Sequence, residues 1–327
     1  MGFLIADKNK VGWRFESGTY ANPTGASLVW PGLIQDSTPD DNPNTVQHRY
    51  AGAGTRDVSL HTDGPLDHAG VYSFYPQNWK FLQFVAGSIG TANGSVHTFV
   101  ATNSCDGNNY TSGEKCPFIS FSLEDGQQCN PATGQNFIRT YNGCMVNSMT
   151  VSTSQGEPLT AEINYMAKEM IQSSGATTPM TADNTTIPYL WSHSKLNIPN
   201  GTIYDTLKSW TWSWNNNIEA PHYCNGSREV SQPYPLNRDH TFEAVFDATA
   251  EKAKILYEQY FIGGSEFNAM LDVIKSGSEF LNVAMSGCKL TAMTAPTGKE
   301  GINEQTITIV PKTVHPVAVD EVVYIGF

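Results

Sequence analysis

Gly143-Cys144-Met145-Val146-Asn147-Ser148-Met149-Thr150 and Gly287-Cys288-Lys289-Leu290-Thr291-Ala292-Met293-Thr294 are two readings of one stretch, and their likeness decides the fold. The match continues without a gap to Tyr165 and Ile309, with Thr153/Thr297 and Ile163/Ile307 identical. More landmarks lie upstream at one constant offset. Asn44, Val46, Gly54, Arg56, Val58, Asp67, His68 and Phe74 fall on Asn216, Ile218, Gly226, Arg228, Val230, Asp239, His240 and Phe246. After a short gap, Phe84, Gly87 and Ser88 fall on Phe261, Gly264 and Ser265. Such self-similarity means that one fold unit occurs twice. Two tandem units about a threefold axis make a ring with pseudo-sixfold symmetry, which points to assembly rather than catalysis.

The units read as mainly β. Trp210-Thr211-Trp212-Ser213-Trp214 puts three indoles on one face and two hydroxyls on the other. Residues 241–247 set Phe242, Ala244 and Phe246 against Glu243 and Asp247. Residues 305–310 alternate Ile with Thr, and their partner 161–165 alternates Ile163 and Tyr165 with Glu162 and Asn164. One face is a core and the other is wet. Residues 248–261 read as a helix with Ala253, Leu256, Tyr257 and Tyr260 on its stripe, closed by Gly263-Gly264. Its counterpart in the first copy is 77–84. The expected layout is an N-terminal arm at 1–43 and a first domain at 44–170. A linker at 171–186 leads to a second domain at 187–327. The first domain carries an insertion at about 89–142.

Bulk properties exclude several classes. The charged fraction is 15%, and polarity comes from Ser, Thr, Asn and Gln beside 28 Gly and 18 Pro, which suits strands and turns. A net charge of −12 argues against gripping nucleic acid. No stretch approaches a membrane span, and the apolar run Phe3–Ala6 is too short for a signal peptide, so the chain reads as soluble and not exported by its own N-terminus. Cys144 and Cys288 read as small buried hydrophobes, and a Cys105–Cys116 bridge is left open. No Cys-x-x-Cys pair, nucleophile elbow or phosphate loop occurs. The run from His61 to His68 has metal-ligand residue types but reads as a turn before a strand. No catalytic residue, metal or cofactor is expected. A carbohydrate-binding or adhesive β-sandwich is the alternative, with the Trp210/Trp212/Trp214 stripe as a stacking platform; at strand spacing, packing is the better reading.

Four segments in order resemble the tail tube proteins of long-tailed bacteriophages and related archaeal viruses. They are Gly12-x-x-x-Glu16-x-x-x-Tyr20, Gly143-Cys144-x-Val146-Asn147-Ser148-Met149-Thr150, Lys208-Ser209 through Asn215-Asn216-x-Ile218-Glu219, and Gly226-x-Arg228-Glu229. The resemblance implies tandem tail-tube β-sandwich domains, each with one flanking helix. It implies trimeric, pseudo-hexameric rings stacked into a hollow tube whose inner sheets form one β-barrel. Viral DNA would pass through without specific binding. Partners would be the chain itself and the tape-measure, terminator and tip proteins, with no membrane. The place would be the virion tail, assembled in host cytoplasm. With the apolar faces inward, the channel wall would consist of Glu243, Asp247, Glu162, Asn164, Thr306, Thr308, Thr211 and Ser213. Met145, Asn147, Lys289 and Thr291 on the paired Gly-Cys strands would complete it.

Overall fold

The computed structural model describes residues 9–16, 20–23, 27–50, 57–58, 60–87, 91–93, 96–99, 119–128, 136–183, 185–199, 203–247, 249–294 and 303–319. Its strands form where apolar and polar residues alternate. In 239–247, His240, Phe242, Ala244 and Phe246 are buried while Asp239 and Glu243 are exposed. One apolar core runs through both copies.

Each copy is a sandwich, and one sheet is common to both. In the first copy its order is β2 (Gly32–Asn42), β5 (Asp67–Pro76), β10 (Thr160–Ala167), β9 (Asn136–Ser154). In the second it is β14 (Leu207–Asn215), β17 (Asp239–Asp247), β20 (Glu304–Val310), β19 (Glu279–Thr294). β9 also pairs with β14, from Ser154↔Ser209 to Ser148↔Asn215, so the eight strands form one antiparallel inner sheet. The outer layers repeat as well. β1 (Lys10–Phe15), β8 (Phe121–Gln128), β9 and β11 (Glu169–Ser173) match β12 (Ser194–Asn197), β18 (Phe267–Ser276), β19 and β21 (Thr313–Val319). β6 (Thr91–Asn93) and β7 (Val96–Thr98) extend the second outer layer beyond β21, and β13 (Ile203–Tyr204) extends it beyond β12. Two hairpins, β3 (Val46–His48) with β4 (Leu60–Thr62) and β15 (Ile218–Glu219) with β16 (Tyr234–Pro235), stand at one end of the inner sheet.

β9 and β19 belong to both layers, which is why they are the longest strands. Residues 136–144 of β9 pair with β8 and β11, and residues 145–154 pair with β10 and β14. The strand changes layers at Gly143, φ +67°, as β19 does at Gly287, φ +60°. A side chain fits neither place: a Cβ on Gly143 would lie 2.7 Å from the Tyr20 ring, and one on Gly287 2.7 Å from Cδ of Lys312. Glycine alone takes this backbone without strain. The first crossing is clasped on both sides, since Gly143 N–H donates to Glu16 Oε1 (2.7 Å) and its carbonyl accepts from Tyr20 Oη (2.9 Å). Asn268 Oδ1 accepts from Gly287 N–H at 3.2 Å in the second. Just beyond each crossing a bulge leaves Asn147 and Thr291 as extra residues against β10 and β20.

Several expectations need correction. The described residues of 1–43 are not an arm: β1 and β2 are strands of the outer and inner layers, and Val11, Trp13, Tyr20 and Leu28 are buried. Their Gly, Pro and Asp content reads as loop, but the pairing ladder holds them. β8 and the first half of β9 have counterparts in β18 and β19, so the unmatched stretch is narrower than 89–142. Cys105, Cys116 and Cys129 lie outside the described residues. Within 171–186, residues up to Ser173 belong to β11, and Gln77 binds the carbonyls of Asp183 and Thr186, which fastens the rest to the first copy. The second helix is α2 (Ala250–Ile255), continued as π-helical turns over Leu256–Ile262. It buries Leu256 and Tyr260 but exposes Tyr257. The first copy's helix is later than 77–84: α1 is Leu82–Ala86, closed by Gly87.

The upstream alignment also shifts by one. Asn44 (φ +45°) corresponds to Asn217 (φ +47°), not Asn216. The N–H of each caps the side chain two residues back, Asn42 Oδ1 (3.0 Å) and Asn215 Oδ1 (2.9 Å). Each amide also binds a carboxylate, Asp67 or Asp239. Pro43 therefore stands where Asn216 does.

Glu16 is 5% exposed, and its carboxylate also accepts from Ala21 N–H (3.1 Å) and Ser120 Oγ (2.5 Å). Burial raises its pKa, against the donors Gly143, Ser120 and Ala21, which lower it. Glu16→Ala leaves two buried N–H groups without acceptors and should cost about 3 kcal/mol in urea unfolding. Glu16→Gln keeps one acceptor but sets its NH2 against the donors of the other oxygen, so it should recover only part of that loss; a Glu16→Ala protein as stable as wild type would show that the clasp contributes nothing.

Candidate functional site

Two features of the inner sheet lie open: its face away from the core, and its two edges. The open face is a polar ladder. Thr38, Val71, Asn164, Ser148 and Asn215 run across it in one register, and Ser73, Glu162, Thr150, Ser213 and Thr241 run in the next. Ser152, Thr211, Glu243 and Thr308 follow. Glu162 and Glu243 are exposed and carry no ion pair among the described residues, so this face is anionic.

The strands therefore place Glu243, Asp247, Glu162, Asn164, Thr306, Thr308, Thr211 and Ser213 on one face, opposite Phe242 and Phe246. The Gly-Cys strands behave differently because the bulge breaks the alternation. Met145 is fully buried against Tyr20 and Ile218, so it cannot face an open channel. The Asn147 side chain accepts from Ile218 N–H at 2.9 Å and ties the second copy to the first. Its counterpart Thr291 and the neighbouring Lys289 are exposed. Lys208, absent from the expected face, bonds Asp247 and Glu304 at 2.7 Å each and neutralises part of that rim. The column Ser148, Thr150 and Ser152 was also missed, although alternation with Met149 and Val151 signals it.

The indoles of Trp210, Trp212 and Trp214 are 2%, 1% and 0% exposed, so they pack the core beneath the β9–β14 seam and offer no stacking platform. Cys144 and Cys288 are buried free thiols, and burial raises the pKa of each. In the His61–His68 run, His68 Nδ1 meets Asp41 (2.8 Å), while His61 lies on exposed β4.

The seam is locked by Asn216, which is 1% exposed. Its N–H donates to Asn147 O (2.8 Å), its amide to Val85 O and Val146 O (2.9 Å each), and its Oδ1 accepts from Trp214 Nε1 (2.9 Å). Beyond it, the second copy's loop grips the first copy's hairpin. Arg228 donates to Gly64 O (2.7 Å) and Pro43 O (3.3 Å) and pairs with Asp63, while His222 meets Asp67 (2.8 Å). The counterpart of Arg228, Arg56, lies outside the described residues.

The four sequence segments thus meet in one structure: Glu16 and Tyr20 on Gly143, Asn147 on Asn216 and Ile218, Arg228 on the neighbouring hairpin. The family model described as phage tail tube protein matches residues 7–310. The chain belongs to that family. No curated protein matches it. The tube protein is a structural component of a phage tail, and its segments of family likeness hold crossings and seams. None of its helices is long and apolar enough to cross a membrane, among the described residues.

His240 of the tube protein sits on β17, one strand from the seam, 4.6 Å from the Trp214 ring. Burial, with Arg238 adding to it, lowers its pKa from 6.5 to about 4. The unfolded chain takes the proton at the ordinary value, so stability is complete above that pH and falls as pH drops toward 4. The loss should approach about 3 kcal/mol. Thermal melting between pH 7 and 4.5 should show a drop that His240→Phe reduces; identical slopes in both proteins would exclude His240 as its source.

Proposed function

We propose that the tube protein polymerises as trimeric, pseudo-sixfold rings stacked into a hollow tube that conducts viral DNA. One observation carries the reading: the β9–β14 seam inside the chain is a template for closure between chains. β19 is the counterpart of β9 and β2 the counterpart of β14, and among the described residues these are the two unpaired edges of the inner sheet. Joining β19 of one chain to β2 of the next repeats the internal seam, and a closed circle removes every edge. With strands about 4.8 Å apart and tilted about 40°, three chains make a barrel about 50 Å across its backbone. Two chains would make one about 30 Å across, which inward side chains narrow to the width of a duplex.

Burial supports the same direction. Val85 at the end of α1 is fully buried beside the second copy, whereas its counterpart Ile262 is 65% exposed, with Tyr257 at 50% nearby. A neighbouring chain would cover them. The anionic face would then line the bore and repel phosphates, so duplex moves without sticking. Ring-to-ring contacts fall to the hairpin ends and the opposite rim, and the tape-measure, terminator and tip proteins would meet the tube at its ends. The same reading places the protein in the tail of a long-tailed virion after assembly in the host cytoplasm.

Register makes this testable. Thr150 faces Ser213 across the internal seam, and their counterparts are Thr294 and Asp40, both exposed. Oxidised Asp40→Cys/Thr294→Cys protein, in a background with Cys105, Cys116, Cys129 and Cys224 changed to Ser, should give disulfide-linked dimers and a closed trimer that does not extend further. Monomers alone, under conditions where electron microscopy shows rings, would refute this register; absence of rings would refute the assembly. Assembled tubes should retain no linear duplex at low salt, and steep salt-dependent retention would mean a cationic bore.

A further inference from the structure

The two seams of such a ring are not equally built, and the difference lies in β2. Under the internal seam the core-side residues of β14 are Trp210, Trp212 and Trp214. Their counterparts in β2, matched through β5 and β17, are Ser37, Pro39 and Asp41. The layer beneath changes in step. Leu271, Val283 and Met285 are buried in the second copy, and the first has Asp125, Arg139 and Tyr141 in their places. There Arg139 pairs with Asp125 at 3.0 Å, Ser37 donates to Asp125 at 3.3 Å, and Asp41 accepts from Tyr141 at 2.9 Å. The same scaffold holds an aromatic wall on one side and an ion network on the other.

The lock differs as well. Asn216 donates three hydrogen bonds across the internal seam from a backbone N–H and a side-chain amide, and its Oδ1 accepts a fourth from Trp214 in its own copy. Pro43 at the matching place has no N–H and no amide. Pro39 removes another donor in the middle of the strand, and Asp36, Asp40 and Asp41 charge it. Proline and charge are what natural sheets use to blunt an exposed edge. On the facing edge, exposed Lys289 stands where the internal seam has buried Met145.

We propose that β2 is a blunted edge. It admits one partner, β19 of a second copy of this chain, through a weak polar seam, so that free subunits stay open until a growing tube end orders them. The inference rests on the ring reading above. The unequal seams explain how a chain with a ready sheet edge avoids closing or aggregating at random. The internal seam forms within one chain and does not depend on concentration, so the concentration dependence of assembly resides at β2.

Pro43→Asn restores the missing lock. In a concentration series of the full-length protein, followed by sedimentation and electron microscopy, it should assemble into rings or tubes at a concentration about tenfold lower than wild type. The reverse change, Asn216→Pro, should lower the melting temperature of the unassembled subunit, because it opens the seam inside the chain. If Pro43→Asn does not fold, as its melting curve would show, Pro39→Val supplies the same comparison by returning one N–H to the edge. Rings forming at the same concentration in wild type and in the folded edge variant would overturn the blunted edge while leaving the ring intact. Rings from neither at any concentration would overturn the ring reading and this inference with it.

Discussion

Everything in this fold depends on a strand that must lie in two layers at once. β9 and β19 each start in an outer sheet and finish in the inner one, and the change of layer takes place at a glycine with positive φ. A side chain would collide with Tyr20 in one case and Lys312 in the other. Because the crossing strand is shared, neither layer can form without the other, and the two layers of each copy close over a common core. The bulge that follows at Asn147 and Thr291 then turns the strand so that its apolar residues again face inward.

Duplication turns this unit into something directional. The first copy offers β9 and the second offers β14, and their pairing fuses two small sheets into one large sheet with two unlike edges. The strand ladder alone does not set the junction. Asn216 reads three carbonyls of the first copy, those of Val85, Val146 and Asn147, so helix, crossing strand and neighbouring strand lock in one register. Arg228 repeats the strategy at the hairpins with carbonyls as acceptors. Burying the Asn216 donors is tolerable because each has its partner.

The two copies have diverged in what fills them rather than in how they are drawn. Tryptophans and aliphatic residues pack one flank of the molecule, and an Asp–Arg pair with Ser, Tyr and His occupies the corresponding flank. Burial raises the Asp125 pKa, and Arg139 works against that rise. An apolar wall contributes to folding wherever it is buried. A polar network is costly until its partners are complete. The polar side is the one beneath the open β2 edge.

The duplication, the mainly β class, the inward face of each regular strand and the net negative charge are legible in the order of residues alone. Those properties are local: alternation with period two and an internal repeat are visible without knowing which strands pair. The sequence also carried the segments of family likeness, although not what they do. Only the tertiary structure decided that residues 10–15 and 32–42 are strands and that Met145 lies under the second copy. It also decided that Asn44 answers to Asn217, and that α2 passes into π-helical turns. The reason is the same throughout. A bulge or a glycine crossing shifts alternation by one residue, and a Gly- or Pro-rich strand has no alternation to read. In both cases the ladder partner, many residues away, sets the conformation.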